Sequence, residues 1–204
     1  RVGASVLQGI YFSIFAATLV ALFVFISGHL FDMIGHSPHV RALEVKYFNI
    51  LILGAVFPIL GSALACFYTG RGLTRVVMFV HMAGAIVNIP LDFLLINGIG
   101  PFPELGIAGA AIATVTSSAV TVLILGFFIF SSENRSQFGT WNNRAFDKEL
   151  FGRLMRFGLP SGIQFFLEIF GFTFFIQMLG RLGDLEMAAS NIVLSLESLA
   201  FLPM

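Results

Sequence analysis

The sequence has little charge: Asp, Glu, Lys and Arg make up 11% of its 204 residues, against roughly a quarter in soluble domains. Its eleven basic and eleven acidic residues balance, which argues against nucleic-acid binding, since that needs a basic surface. Cys66 is the single cysteine, which excludes an internal disulfide and a cysteine-ligated metal site. The sequence also has no phosphate-binding glycine motif, metal-ligand cluster or nucleophile–base set. Nothing in it therefore supports ATP hydrolysis, another enzymatic reaction or a cofactor.

Apolar residues dominate what is present. They make up 57% of the chain, and the mean hydropathy is +0.94. A spanning helix needs about 20 mostly apolar residues, and six segments qualify or begin to: 6–31, 45–69, 76–96, 105–131, 157–179, and 185 to the end. We predict an all-α, polytopic bundle of membrane helices. The chain begins at Arg1 and ends within an apolar run, so we expect an internal fragment of a longer protein.

One connection, residues 132–156, is long and polar. It divides the chain into predicted membrane segments 1–131, a linker 132–156 and further membrane segments 157–204. Within the linker, residues 142–154 could form an amphipathic helix at the interface, or the whole linker could be solvated. Cytoplasmic loops are enriched in Lys and Arg, and the richer side of the predicted topology carries Arg1, Arg71, Arg75, Arg135, Arg144, Lys148, Arg153 and Arg156. The linker and the N-terminus are therefore expected in the cytoplasm.

Small residues and prolines mark the predicted helices. Gly106, Ala110, Ala113 and Ser117 recur at spacings of three and four, which predicts a strip along which the fourth span packs tightly against another helix. Pro58 interrupts the second span, where we expect a simple tolerated kink.

The most informative single residue is Glu168, which lies in the middle of an otherwise uncharged apolar run. An acid at the centre of a membrane helix costs about 2.5 to 3.5 kcal/mol on insertion scales and usually serves a function. If the fifth and sixth spans form a hairpin that turns near Leu182, Glu168 and Glu197 lie at similar depths, about 20 Å below the outer surface. Two such acids disfavour each other's charge. We predict an ion-coupling pair, and the sequence leaves H+ and Na+ equally open.

Polar residues accompany these acids. Gln164 is one helical turn before Glu168, while Ser190 and Asn191 precede Glu197, so these three are candidate cavity residues. In the third span, His81, Gly84, Asn88 and Asp92 recur at helical spacing. Asp92 is a further candidate coupling acid and Asn88 a cavity residue. His81 alone indicates only a packing residue. The chain's 25 Phe residues include some that could line a cavity for flat organic cations by cation–π contact.

Four segments carry a family resemblance. Residues 88–98 (NIPLDFLLING), 105–114 (LGIAGAAIAT), 157–168 (FGLPSGIQFFLE) and 187–191 (MAASN) resemble the multidrug and toxic compound extrusion (MATE) family. The resemblance implies the third to eighth helices of a twelve-helix, two-lobe antiporter that exchanges H+ or Na+ for organic cations. It implies that Glu168 is a seventh-helix acid, that Glu197 occupies an eighth-helix position acidic in part of the family, and that Asp92 belongs to an Asn-x-Pro-x-Asp pattern.

These observations predict an ion-coupled antiporter of the cell membrane that exports drug-like cations by alternating access. We expect a monomeric transporter in the lipid bilayer, without nucleic-acid partners. A flippase for lipid-linked saccharides is the alternative within the same broad class. A long cationic groove would favour the flippase, whereas the cavity-facing candidates in this sequence are acidic. An intramembrane enzyme is the alternative from another class, and the nucleophile, metal site or aspartate pair that it needs is not visible.

Overall fold

The structure, a computed structural model, describes residues 2–34, 37–139, 146–180, 183, 190 and 192–195. In these residues the regular structure is helical, and no strand occurs among them. A 3-10 turn, Leu22–Phe25, separates the first two α-helices. The helices run as α1 Val2–Ala21, α2 Ser27–Ile34, α3 Pro38–Leu53, α4 Val56–Thr69, α5 Thr74–Asn97, α6 Ile107–Ile129, α7 Ser132–Phe138 and α8 Lys148–Gly180.

Five helical stretches of the described residues are long and apolar enough to cross a membrane. They are Val2–Phe25, Pro38–Thr69, Thr74–Asn97, Ile107–Ile129 and Lys148–Gly180. Many large apolar side chains on them remain exposed, as expected of helices whose outer faces meet lipid. The predicted class, an all-α polytopic membrane protein, is confirmed. Most of the sixth predicted span, from residue 185, lies outside the described residues.

The second span is longer than predicted and is broken. It begins at Pro38, a residue that suits the first turn of a helix because its missing N–H would have no partner there. The break falls at Gly54 and Ala55, between α3 and α4. Pro58 has no N–H to donate to the Gly54 carbonyl, and the Phe57 N–H bonds that oxygen instead at 3.1 Å. Proline thus shifts the local hydrogen bonding by one residue, which explains a break four residues before it.

Glycines allow α6 to approach its neighbours closely. A Cβ on Gly109 would lie 2.5 Å from the Leu95 carbonyl oxygen of α5, and one on Gly84 would lie 2.5 Å from Thr121 Oγ1. On the far side of α6, a Cβ on Gly54 would overlap the Val115 side chain. Close backbone approach at small residues is the usual way that membrane helices associate.

The small-residue strip of α6 is only partly as predicted. Ala113 and Ser117 are buried, but Ala110 is half-buried and Gly106 precedes the helix in a positive-φ conformation. The closest approach is made by Gly109 instead. The buried face of α6 is completed by Ala108, Ala111, Thr121, Leu125 and Ile129.

The chain forms two compact units, residues 1–151 and 152–204. In the first unit, α6 packs against α3, α4 and α5, and α1 packs against α4. Its core is centred on Leu125 and Ile129, which are fully buried, with Val6, Leu64, Ala65, Phe67, Tyr68 and Val80 around them. The boundary between the units lies inside α8, which runs without interruption from Lys148. Residues 148–154 of the predicted linker are therefore the first turns of this helix, and α7 forms the linker's first segment.

Candidate ion-coupling site

The residues of the polar stripe of α5 differ in how far they are buried. His81 is exposed, Gly84 is buried against α6, and Asn88 and Asp92 are half-buried. The helix continues through Pro90, whose ring nitrogen cannot donate to the Ile86 carbonyl. The structure thus places both predicted site residues of this helix, Asn88 and Asp92, on partly enclosed surface.

Asp92 is the acidic residue of this stripe. Its Oδ1 atom is buried, and no donor in the described part of the chain reaches it. A buried acceptor without a partner costs about 1 to 3 kcal/mol, and more when it is charged. Either a proton on the carboxyl or a cation beside it would remove this cost.

Asn49 of α3 is a polar residue that the sequence analysis missed. Its Oδ1 atom is likewise buried, and none of the described donors bonds to it. The one available signal was an amide in the apolar run 48–69. Such a residue is costly in a membrane unless it finds a partner.

Asn49 and Asp92 lie at nearly the same height along α6. Gly54 meets α6 at Val115, and Leu95 meets it at Gly109. Counting back from these contacts at 1.5 Å per residue places Asn49 level with residue 110 and Asp92 level with residue 112, a difference of about 3 Å. Two helices that pack on α6 therefore each carry a buried, unbonded oxygen at one level.

In α8, Glu168 lies one turn after Gln164. Both are exposed, and α8 has no buried residue. The nearby side chains of Phe165, Phe166, Phe170, Phe172, Phe174 and Phe175 are all about half or more exposed. Ser190 is helical and half-buried, whereas Asn191 and Glu197 lie outside the described residues. The predicted pairing of Glu168 with Glu197 stays a prediction.

The remaining charged groups of the first unit lie mostly at helix ends. Arg41 bonds Asp32 at 2.7 Å and the Gly28 carbonyl at 3.3 Å, at the end where α2 meets α3. At the opposite end, the Arg71 guanidinium lies 4.9 Å from the Phe67 ring centre and 4.2 Å from that of Phe138. No group of three or more His, Cys, Asp or Glu residues that could hold a metal ion occurs in the described ranges.

The comparisons with known proteins agree on one family. A family model described as MatE matches residues 1–94. The probable multidrug resistance protein NorM of Mannheimia succiniciproducens is 26% identical over the whole chain, and that of Rhizobium meliloti is 29% identical over 97% of it. The multidrug resistance protein NorM of Vibrio cholerae is 26% identical over 96%. These matches show that the chain is similar to MATE-family proteins.

Solved structures support the same fold. A MATE protein in complex with MaD5 matches 93% of the chain with a TM-score of 0.73 and 20% identity. An inward-facing MATE transporter of the MOP superfamily matches 78% with a TM-score of 0.65 and 22% identity. The chain spans 43–44% of the length of the NorM relatives. The predicted resemblance to the MATE family is confirmed, and so is the predicted multi-pass membrane location.

Proposed function

We propose that the chain is part of an ion-coupled antiporter of the cell membrane that exports organic cations and other drug-like molecules by alternating access. The proposal is supported by the NorM relatives, whose names describe multidrug resistance proteins. It is also supported by acids placed inside membrane-length helices, because such residues usually serve ion or proton pathways.

The observation that carries the proposal is the buried Oδ1 of Asp92, to which no group in the described part of the chain bonds. A bound H+ or Na+ would supply the partner that this oxygen lacks among the described residues, which would link its occupancy to the ion gradient. Asn49 lies at the same level along α6 and offers a second acceptor of the kind that suits Na+ or a protonated carboxyl. Asn88, one turn before Asp92, is the third polar group on this surface.

Glu168 is the proposed coupling acid of α8, acting together with Glu197. Gln164, Ser190 and Asn191 are the proposed cavity residues beside them. In this scheme an ion and an organic cation compete for the same carboxylates. Binding of one then weakens binding of the other, which is the basis of exchange.

The test is transport by the whole protein reconstituted into liposomes, with ethidium as the cationic substrate. Wild type is driven by an imposed H+ gradient and, separately, by a Na+ gradient, and the gradient that drives uptake identifies the coupling ion. Asp92→Asn and Glu168→Gln keep side-chain volume but remove the charge. We expect both to lower gradient-driven uptake to the level of empty liposomes.

Glu133→Gln is the matched control, because Glu133 is an exposed acid on α7, outside the membrane-length helices. It is expected to transport like wild type. If Asp92→Asn and Glu168→Gln, at equal reconstituted amounts, transport ethidium at the wild-type rate under both gradients, neither acid couples ions to export.

A further inference from the structure

Helix α7, the first segment of the linker, is attached to the end of the first unit where α4 meets α5. Phe138 packs against the core of that unit, and its ring meets the Phe67 ring edge-on, with 5.6 Å between the ring centres. Asn134 Nδ2 donates to the Phe128 carbonyl at 2.8 Å and to the Tyr68 hydroxyl at 3.5 Å. Two side chains of α7, about one helical turn apart, therefore hold it against α4 and the end of α6.

The Arg71 guanidinium, from the turn between α4 and α5, contacts both of these side chains. It lies over the Phe138 ring at 4.2 Å and over the Phe67 ring at 4.9 Å, and its Nη1 donates to Asn134 Oδ1 at 3.5 Å. None of the described acids forms an ion pair with it. A guanidinium suits this position because it can stack on rings and donate hydrogen bonds at the same time. We call Phe67, Arg71, Asn134 and Phe138 the Arg71 clamp.

The other described end of the linker also contacts the first unit. Phe151, in the first turn of α8, lies with its ring 6.5 Å from the Phe12 ring of α1, within the range of favourable aromatic pairs. Asp147 Oδ1 accepts hydrogen bonds from the backbone N–H groups of Glu149 and Leu150 at 3.0 and 3.1 Å, which caps the start of this helix. The start of α8 is thus fixed by its own cap and by a ring contact to α1, and the first compact unit extends to Phe151.

We propose that the polar linker is a brace that moves with the first unit, rather than a flexible tether between the two units. The Arg71 clamp fixes its α7 end, and the Phe12–Phe151 contact fixes its other described end. Arg71 is the positioning residue, because its guanidinium joins two α7 side chains to α4. Movement between the units then begins at Gly152 or beyond it in α8, and glycine weakens a helix interior. The use of that movement for alternating access rests on the function proposed above, whereas the brace does not.

The test is double electron–electron resonance between pairs of spin labels on the whole protein in lipid nanodiscs, with its native cysteines, Cys66 included, replaced by alanine. One label is placed at Leu123, an exposed residue of α6, and the second at Gln137 of α7 or at Lys148 at the start of α8. The control pair, Leu123 with Phe15 of α1, lies within the first unit. We expect the two linker distances to be as narrowly distributed as the control distance, with and without ethidium. A flexible tether would give distributions at least about twice as wide.

Two nearby arginines give a matched pair of variants. Arg71→Ala removes the guanidinium that contacts both rings of the clamp. We expect it to widen the Leu123–Gln137 distribution at least about twofold, while the Leu123–Phe15 distribution stays unchanged. Arg75→Ala removes the same charge from an exposed position at the start of α5 and should leave both distributions as in wild type. Arg71→Lys should lie between the two alanine variants, because an ammonium group keeps the charge but lacks the planar face.

Two results would overturn the proposal. One is a wild-type Leu123–Gln137 or Leu123–Lys148 distribution that is wider than that of the control pair beyond experimental error. The other is an equal width of the Leu123–Gln137 distribution in Arg71→Ala and Arg75→Ala. The distances are measured without a gradient. A fixed linker in a protein that exports nothing would therefore refute the proposed function and leave the brace intact, whereas a mobile linker in an active transporter would refute the brace alone.

Discussion

Gly109 provides a sharp test of how α5 and α6 pack. A Cβ at this position would lie 2.5 Å from the Leu95 carbonyl oxygen, 2.6 Å from the Leu95 carbonyl carbon and 3.0 Å from the Ile96 nitrogen. All three are backbone atoms, so no side-chain rotation relieves the overlap and the two helices must separate. Overpacking of this kind costs about 1 to 3 kcal/mol. Alanine's higher helix propensity recovers at most about 1 kcal/mol.

Gly126 of the same helix is the matched control, because a Cβ there meets nothing within 4 Å. We expect Gly126→Ala to raise the free energy of unfolding by up to about 1 kcal/mol. Gly109→Ala should lower it, so the two variants should differ by about 2 kcal/mol. The measurement is reversible unfolding of the purified protein in mixed micelles, with helix content followed by circular dichroism. Equal stabilities for the two variants would refute the close approach of α5 to α6 at Gly109.

Three further predictions concern the linker and the coupling acids. Arg71→Lys should lower the unfolding free energy by about 1 kcal/mol, because an ammonium group stacks poorly on the Phe67 and Phe138 rings that the guanidinium contacts. An equally large loss in Arg75→Lys would contradict this explanation. A cysteine placed at Gln137, with Cys66 replaced by alanine, should react in sealed cells only with a membrane-permeant maleimide. Labelling by an impermeant maleimide would contradict the predicted cytoplasmic location of the linker. If Glu168 and Glu197 form the predicted pair, Glu197→Gln should shift the pH midpoint of cationic-substrate binding downward, because the like charge of Glu197 is removed. Additive shifts in the single and double Gln variants would instead show independent sites.

Hydropathy was sufficient to find the membrane helices but not to set their ends. The predicted span 76–96 falls within α5, Thr74–Asn97, to within two residues at each end. The predicted span 157–179 misses the first turns of α8, because the polar residues 148–156 do not resemble a membrane segment even though they continue the same helix. Composition reports which residues suit lipid, whereas helix ends depend on local hydrogen bonding.

The candidate site also has features that the sequence predicts and features that depend on how the helices pack. The expense of an acid in an apolar run identified Asp92 and Glu168 without any coordinates. Two facts depend on which helices pack together: no donor among the described residues reaches Asp92 Oδ1, and Asn49 lies level with it along α6. The cavity lined by Pro58 of α4, His81 of α5 and Ser118 of α6 likewise gathers side chains from three helices, which no spacing along one helix can predict.

The sequence by itself determined the class of this protein, its membrane-length segments, its resemblance to the MATE family and its costly intramembrane acids, because each follows from the chemistry of single residues or of neighbours along one helix. Only the tertiary structure decided that α6 packs through Gly109 rather than Gly106 and Ala110. The reason is rotational: every α-helix turns about 100° per residue, and a segment apolar on all sides has no sequence signal that selects one face. The neighbouring helices decide which face of α6 is buried, because Gly109 lets the backbone of α5 approach α6 closely at that position.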